Sequence, residues 1–303
     1  MRVYNPRATA LKNRVLQDMN SLESVDLPEA LSVGKYALAY DYYLESVSMP
    51  KVTTIEEQAF LHAGENASDG MDVDMPAVTT FNGNSTFESS GIVEADFPNL
   101  ATASGQKAFY NCKKMTSLDI PLVQTVGNQW VQGSDHLISL SMDNLETAGS
   151  ECFRGCSRLV NVNLPKLQAT GAGFFRGDGA LVEVTLPSVV TFSGSTFYQC
   201  GNLEYVDLPA CEEITSGTFY SSNKVSAFIL RYTGGVVPLA QADIFPSNSK
   251  IRQGTGYIYV PSALIESYKV ATNWSTYYAD AFRALESYTV DGTITGALDP
   301  EKI

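Results

Sequence analysis

The sequence predicts a repeat solenoid of about ten coils of nearly equal length, stacked along one axis. Three observations support this fold class. A short motif closed by proline recurs at spacings of 22, 26, 22 and 23 residues, followed by five more spacings of 22. Apolar and polar residues alternate just before the proline, which is typical of a short strand. An aromatic residue follows ten or eleven positions later in most copies.

The motif reads apolar-x-x-apolar-x-apolar-Pro, and LVEVTLP and LEYVDLP are clear copies. Its last place is here called the closing position, and it is held by Pro28, Pro50, Pro76, Pro98, Pro121, Asp143, Pro165, Pro187, Pro209 and Arg231. Proline has no N–H to donate, so it ends each strand. One unit cannot bury its own apolar side chains, and stacked units can, so we expect one continuous core beneath one long parallel sheet.

The second half of each unit carries the aromatic residue, at what we call the aromatic position. Seven copies have phenylalanine there: Phe60, Phe87, Phe109, Phe153, Phe175, Phe197 and Phe219. Small residues precede this position, and they permit the tight turns that a coil needs. Each unit is therefore expected to be a strand, a turn, a short return segment with one inward aromatic ring, and a second turn.

The full unit, as in LVEVTLPSVVTFSGSTFYQCGNL, resembles the BspA-like, or Treponema-type, leucine-rich repeats. The pattern spans residues 22–231, about two-thirds of the chain. The resemblance implies a leucine-rich-repeat array with a role in surface adhesion or protein binding, as in gut bacterial surface proteins and their phages. Proline stands where more familiar leucine-rich repeats have asparagine, so no regular helix is expected on the back of the coils.

Both ends of the chain are predicted to be caps around a solenoid that spans residues 21–250. Residues 1–20 predict a helical N-terminal cap, because Leu11, Val15 and Met19 fall on one helical face and Pro6 suits a first turn. Such a helix would cover the open edge of the first coil.

Residues 251–288 predict a small α/β C-terminal cap. A last strand is expected at 257–260, followed by two short helices over 262–271 and 275–287, with Trp274 filling the gap against the final coil. The tail, residues 289–303, is interpreted as either a loose end or a strand that pairs only with a partner.

Composition and charge exclude several classes of protein. The net charge is −13 and the isoelectric point is near 4.6. Nucleic-acid affinity depends on Lys and Arg, so no nucleic-acid partner is expected. An anionic membrane surface is equally unfavourable. No apolar run is long enough to span a bilayer, so we expect no membrane insertion, and the N-terminal segment lacks the apolar core of a secretory signal.

Motifs of known chemistry are missing from the sequence. We find no P-loop, dinucleotide fingerprint, HExxH or G-x-S-x-G, and we predict no catalytic residue, no cofactor and no metal site. His62 and His136 lie in separate connecting segments, where surface positions explain both. The five cysteines are expected to be buried free thiols, because Cys152 and Cys156 lack the further ligands of a zinc site.

An acidic outer face is the main candidate site. Residues two places before each closing position should point away from the core, since neighbours in a strand alternate faces. The candidate ligand-binding residues on this face are Asp74, Asp96, Asp119, Glu183, Tyr205 and Asp207. One interpretation is a solvated face that keeps the sheet soluble. The other is a binding surface for a cation, a hydroxyl-rich glycan or a basic protein patch.

The N-terminal end is locally basic on this acidic chain. Four residues form the candidate assembly-docking site: Arg2, Arg7, Lys12 and Arg14. One interpretation is a solvated cap. The other is a docking surface in a homo-oligomer or a larger particle.

Together these observations predict a non-enzymatic recognition or structural protein. Solenoids offer long surfaces for binding macromolecules. We expect a phage virion component, such as a tail or fibre protein, that binds a protein or glycan on a host cell surface. The alternative is a bacterial adhesin, at the cell surface or secreted. An enzyme that cleaves glycans with paired carboxylates is the remaining hypothesis from another class.

Overall fold

The protein is a continuous stack of coils, described here from a computed structural model that covers residues 1–285, 288–290 and 293–295. Thirteen short strands, here called the front strands, lie parallel over residues 1–285. They are Arg2–Tyr4, Ser24–Asp26, Ser46–Ser48, Asp72–Asp74, Glu94–Asp96, Ser117–Asp119, Ser139–Ser141, Asn161–Asn163, Glu183–Thr185, Tyr205–Leu208, Ala227–Leu230, Tyr257–Pro261 and Phe282–Leu285.

A second set of shorter strands follows the closing positions along the side of the stack. These side strands are Ser32–Val33, Thr54–Glu56, Thr80–Asn82, Thr125–Val126, Thr147–Ala148, Thr191–Phe192 and Glu213–Ile214. They also pair in parallel, for example Ser32 with Thr54 and Thr191 with Glu213. Backbone hydrogen bonds between coils therefore run along two faces of the stack.

The expected single sheet of ten coils is corrected in two respects. Thirteen front strands are present over the described residues 1–285, because the first residues and the C-terminal cap contribute strands of their own. They form three stretches of four, three and six strands. At the first interruption Met71 bridges Ile92, one position short of the usual spacing. The register shifts there, so the flanking front strands are not paired.

The predicted helical N-terminal cap is wrong. Residues 1–20 contain a strand and turns, and Arg2–Tyr4 pairs in parallel with Ser24–Asp26. The N–H of Leu16 donates to the carbonyl of Ala37, as equivalent groups do in later coils. This segment is therefore the first coil of the stack. Its closing position is Pro6, which precedes Pro28 by one repeat length. The helix-like spacing of its apolar residues was a coincidence.

The C-terminal cap is confirmed in part. The first predicted helix is present as a 3₁₀ turn, Ser262–Leu264, followed by the α-helix Ile265–Val270. The second is wrong: 3₁₀ turns Trp274–Thr276 and Ala279–Ala281 lead into the last front strand. Trp274 is fully buried, as predicted, and its Nε1 donates to the carbonyl of Val237. That contact anchors the cap on the coils.

The predicted tail, residues 289–303, lies mostly outside the described residues. In the part that is described, Tyr288–Val290 and Thr293–Thr295 pair antiparallel with each other.

The core is the predicted column of apolar side chains. Leu186, Phe197 and Leu208 are all buried. Rings at successive aromatic positions stack on each other: the Phe197 ring lies 5.7 Å from that of Phe175 and 5.3 Å from that of Phe219, centroid to centroid. Apolar side chains therefore point inward and polar side chains of the front strands point outward, as the alternation predicts.

Left-handed residues bracket the aromatic position and turn the chain around it. Ser195 and Gln199, both with φ of 62°, lie on either side of Phe197, each two places away. The N–H of Phe197 donates to the carbonyl of Thr218 in the next coil, at 2.9 Å. This third line of bonds fixes the rings one above the other.

Candidate functional site

The three predicted aspartates of the N-terminal half lie exposed on the outer face of the front strands. Asp96 and Asp119 are in register on adjacent strands, so their carboxylates are neighbours. Asp74 lies across the interruption of the sheet and accepts a hydrogen bond from the Ser48 hydroxyl at 3.1 Å. Like charges in neighbouring strands destabilise a sheet. The stability of the fold therefore does not explain why these carboxylates lie side by side.

Further carboxylates join these three, and we call the whole group the acidic patch. It consists of Glu45, Asp69, Asp72, Asp74, Glu94, Asp96 and Asp119. None of the seven forms an ion pair with another residue of the described chain. A cavity of about 350 Å³ opens inside the patch, lined by four of these carboxylates together with Ser68, Gly70 and Val93.

The sequence analysis did not predict this cavity, although the sequence contains a sign of it in the spacing of the repeats. The repeat that ends at Pro76 is longer than the other predicted repeats, and residues 64–70 take up the extra length. Asp69 enters the cavity wall from that turn. Lys114 reaches the same turn, where its Nζ donates to the carbonyl of Ala67. An irregular spacing in an otherwise constant repeat marks a loop with its own surface.

The other three predicted residues form a separate group on later strands. Glu183 and Tyr205 are in register, and Thr185 is the neighbour of Asp207. Asp207 is only 7% exposed and accepts hydrogen bonds from Arg231, whose Nη2 donates to Oδ2 at 2.8 Å and whose Nε donates to Oδ1 at 3.0 Å. Burial, and then the charge of Asp207, raise the pKa of Tyr205 to about 12. The carboxylate of Asp207 is therefore already paired with the guanidinium of Arg231.

Between the two groups the face is neutral and partly apolar. Ile138, Val160 and Val182 occupy the same place in three consecutive coils, one residue before each front strand, and are 37–59% exposed. We call them the apolar stripe. In three other coils this place is acidic, held by Glu23, Glu45 and Glu204, so the sequence did carry a signal for the stripe. Adjacent exposed aliphatic side chains are typical of interaction surfaces.

The four predicted basic residues lie exposed on the first coil. The guanidinium of Arg14 lies 4.5 Å from the ring centroid of Tyr36, and Arg2 comes within 3.8 Å of Glu23. Arg7 and Lys12 make no salt bridge with the described residues. Their role in assembly stays a prediction.

The cysteines lie buried as the sequence predicts, whereas both histidines are half-buried and not fully at the surface. Each histidine contacts its own neighbour: His62 Nδ1 lies 2.6 Å from Glu65, and His136 Nδ1 lies 3.0 Å from Asp135. All five cysteines are buried free thiols. Burial raises the pKa of the Cys112 thiol to about 12, so it stays protonated and unreactive. Among the residues described, no cluster of His, Cys, Asp and Glu is arranged to hold a metal ion.

Three places past the aromatic position, the side chain makes a structural hydrogen bond. Ser134 Oγ donates to the carbonyl of Phe109 at 2.8 Å, and Cys200 Sγ donates to that of Phe175 at 3.0 Å. Asp178 stands at this place in its own coil, and neither carboxyl oxygen has a well-aligned partner in the described structure. Burial raises the pKa of Asp178 well above its ordinary value, although nearby backbone amides offset part of the effect. A protonated carboxyl can donate as serine and cysteine do.

Replacing this residue, Asp178→Ser, is expected to stabilise the protein at pH 8 by roughly 1–3 kcal/mol, the range for a buried unsatisfied polar group. Since the folded pKa is raised, the folded state binds the proton more tightly, and the wild type loses stability as pH rises above the unfolded pKa of about 4. The gain should therefore shrink towards pH 4. Urea denaturation at pH 4, 6 and 8 measures it.

The matched control for Asp178→Ser is Asp143→Ser, at an exposed aspartate of another coil. Its pH profile should run parallel to that of the wild type. The stability of every variant will still depend on pH to some extent, because burial also raises the pKa of Asp41 to about 7. A variant Asp178→Ser that is less stable than the wild type at pH 8 contradicts the assignment.

No helix in the described part of the chain has the length and apolar character required to cross a bilayer.

Comparisons with known proteins agree with this geometry. The family model described as "BspA type Leucine rich repeat region" matches six copies, over residues 4–68, 80–200 and 167–237. No curated protein is significantly similar in sequence. Among solved structures, a leucine-rich repeat protein from Bacteroides ovatus is 15% identical, with a TM-score of 0.53 over 94% of this chain and 92% of that one.

Two further solved structures are similar to parts of the chain. A Treponema pallidum leucine-rich repeat protein is 23% identical, with a TM-score of 0.44 over 62% of this chain and 81% of its own. A leucine-rich cell surface protein from Faecalibacterium prausnitzii is 18% identical, with a TM-score of 0.38 over 66% of this chain and 63% of its own. The family model alone spans well over half of the chain, and the chain therefore belongs to the BspA-type leucine-rich repeat family.

Proposed function

We propose that the protein is a non-enzymatic recognition protein of a bacterial cell surface, which binds a protein partner through the outer face of its front strands. The observation that carries the proposal is the acidic patch, seven carboxylates without an ion-pair partner among the described residues, on the same face as the apolar stripe. A partner with basic residues around an apolar contact complements both features.

A binding role accounts for the placement of the carboxylates better than catalysis does. Catalytic acids and bases are usually set apart in a shielded pocket that shifts their pKa. Here the carboxyl groups whose pKa is strongly shifted, Asp41 and Asp178, belong to the core column and not to the cavity of the acidic patch. The carboxylates of the patch recur from coil to coil, which suits a surface and not a single reacting centre.

The surface adhesion that the BspA-like resemblance implies supports a cell-surface location. The placement in a phage virion, and the assembly of copies through the basic first coil, stay predictions. Negative-stain imaging of virions and labelling of intact cells would separate the two locations.

Neutralising the acidic patch is expected to weaken binding at least roughly tenfold, because several rim charges act together on association. The variant is Asp72→Asn, Asp74→Asn, Glu94→Gln and Asp96→Asn combined. Biolayer interferometry against a panel of purified host-surface proteins, some with basic patches and some without, measures the change at two salt concentrations. Binding by the wild type should also weaken with salt, since exposed charges are screened.

The matched control neutralises three carboxylates away from the front strands, Glu212→Gln, Glu213→Gln and Asp243→Asn, all exposed. Its binding should equal that of the wild type. The proposal fails if both variants lose binding equally, or if the wild type prefers proteins without basic patches.

A further inference from the structure

A second concave site lies in the C-terminal cap, away from the acidic patch. We call it the cap pocket. It is a cavity of about 300 Å³ lined by Gln253, Gly254, Tyr257, Tyr278, Asp280, Ala281 and Arg283. Its walls come from the turn before the front strand Tyr257–Pro261 and from the segment that leads into Phe282–Leu285. The volume is at the lower end of the range of small-ligand sites, large enough for one ring.

Two tyrosines supply aromatic surface to the cap pocket. Tyr278 is 65% exposed, whereas its neighbour Tyr277 is 6% exposed and donates its hydroxyl to the carbonyl of Ala242 at 3.0 Å. The fold therefore uses Tyr277 for packing and leaves Tyr278 in solvent. Tyr257, on the opposite wall, is half-buried. An exposed aromatic ring beside a cavity has a contact surface that folding does not require.

Arg283 supplies the positive charge of the cap pocket, and its side chain is held in place by its neighbours. The Arg283 guanidinium lies 4.2 Å from the ring centroid of Tyr257. Its Nη1 donates to the backbone carbonyls of Asp280 and Phe282. These contacts fix the plane of the group, and Arg283 is one of the residues that line the pocket. A ligand that binds there finds donors already in position, which lowers the entropy cost of binding.

The remaining polar groups complete a balanced set. The Asp280 carboxylate forms no ion pair, and the Gln253 side chain no hydrogen bond, with other residues of the described chain. The carboxylate only accepts hydrogen bonds, the guanidinium only donates them, and the amide does both. Because the two charges cancel, the pocket favours a neutral ligand whose groups both donate and accept.

We propose that the cap pocket binds a neutral hexose unit of a glycan, with Tyr278 stacked on the sugar ring and Asp280, Arg283 and Gln253 bonded to neighbouring hydroxyls. A pyranose ring combines an apolar C–H face with hydroxyls that donate and accept, and the pocket matches both. The site is independent of the acidic patch, so the protein can engage a glycan and a protein partner by separate surfaces.

The test is saturation-transfer NMR and calorimetry on the full chain, with methyl glycosides and short oligosaccharides of glucose, galactose and mannose, and with glucuronic and sialic acid glycosides as the charged arm. At least one neutral hexose should bind. Tyr278→Ala and Asp280→Asn should each lower its affinity at least roughly tenfold, as expected for central contacts of a small site. Both residues are exposed, so the variants should fold.

The matched control is Tyr220→Ala, at another exposed tyrosine, which stacks on Tyr198 at 5.2 Å between ring centroids. It should bind the hexose as the wild type does. The variant with a neutralised acidic patch should bind it equally well, which separates this site from the proposed function. Absence of hexose binding, a preference for the charged sugars, or unchanged affinity in Tyr278→Ala would overturn the proposal.

Discussion

Replacing Phe197 by alanine is expected to destabilise the protein by roughly 3–5 kcal/mol, the range for deleting a buried phenylalanine side chain. Phe197 has no exposed surface, and its ring lies between those of Phe175 and Phe219. Backbone hydrogen bonds between coils fix the chain on both sides of it, so the cavity cannot close easily. The loss should be near the upper end of the range.

Chemical denaturation of Phe197→Ala measures this loss, and Asp96→Ser is its control. Asp96 is exposed beside Asp119, so removing one of two neighbouring like charges should cost little or stabilise the protein. Comparable losses in the two variants would mean that the inner and outer faces of the coils are wrongly assigned.

Gly105→Ala is expected to destabilise the protein by roughly 1–3 kcal/mol or more, the cost of overpacking a tight contact. A methyl group on Gly105 would lie 1.8 Å from the carbonyl oxygen of Gly83 in the preceding coil. The obstacle is backbone held by bonds between coils, so it cannot swing aside as a side chain would. Relief requires the two coils to separate locally.

Gly179→Ala is the control for this prediction, because nothing lies within 4 Å of a methyl group at Gly179. Thermal unfolding of the two variants gives the comparison. Gly179→Ala should be close to neutral, since alanine restricts the unfolded chain more than glycine does. Equal melting temperatures for the two variants would show that the spacing between coils is not set by this contact.

Much of the fold could be predicted because the same pattern of residues recurs in many copies along the sequence. Most copies independently place an apolar residue inward and a polar residue outward, and eight of the ten end in proline. The first coil escaped prediction because a single degenerate copy has no such support: apart from Pro6 it shares few residues with the motif. Apolar residues three and four places apart then resembled a helix.

The candidate site was predictable to a smaller extent. Alternation placed Asp74, Asp96 and Asp119 on the outer face, yet it could not reveal that Arg231 occupies Asp207, since that contact joins two coils through side-chain conformation. The cavity in the acidic patch and the cap pocket depend on irregular segments, residues 64–70 and 253–283, where no periodic pattern exists to interpret.

The lengthened coil between Ser46 and Asp72 shows how the stack accommodates an insertion. Ser46 still pairs with Asp72 across the added length, so the front strands on either side of the insertion stay in register with each other. A coil can therefore take up extra residues in one bend while the pairing of its own front strands is kept.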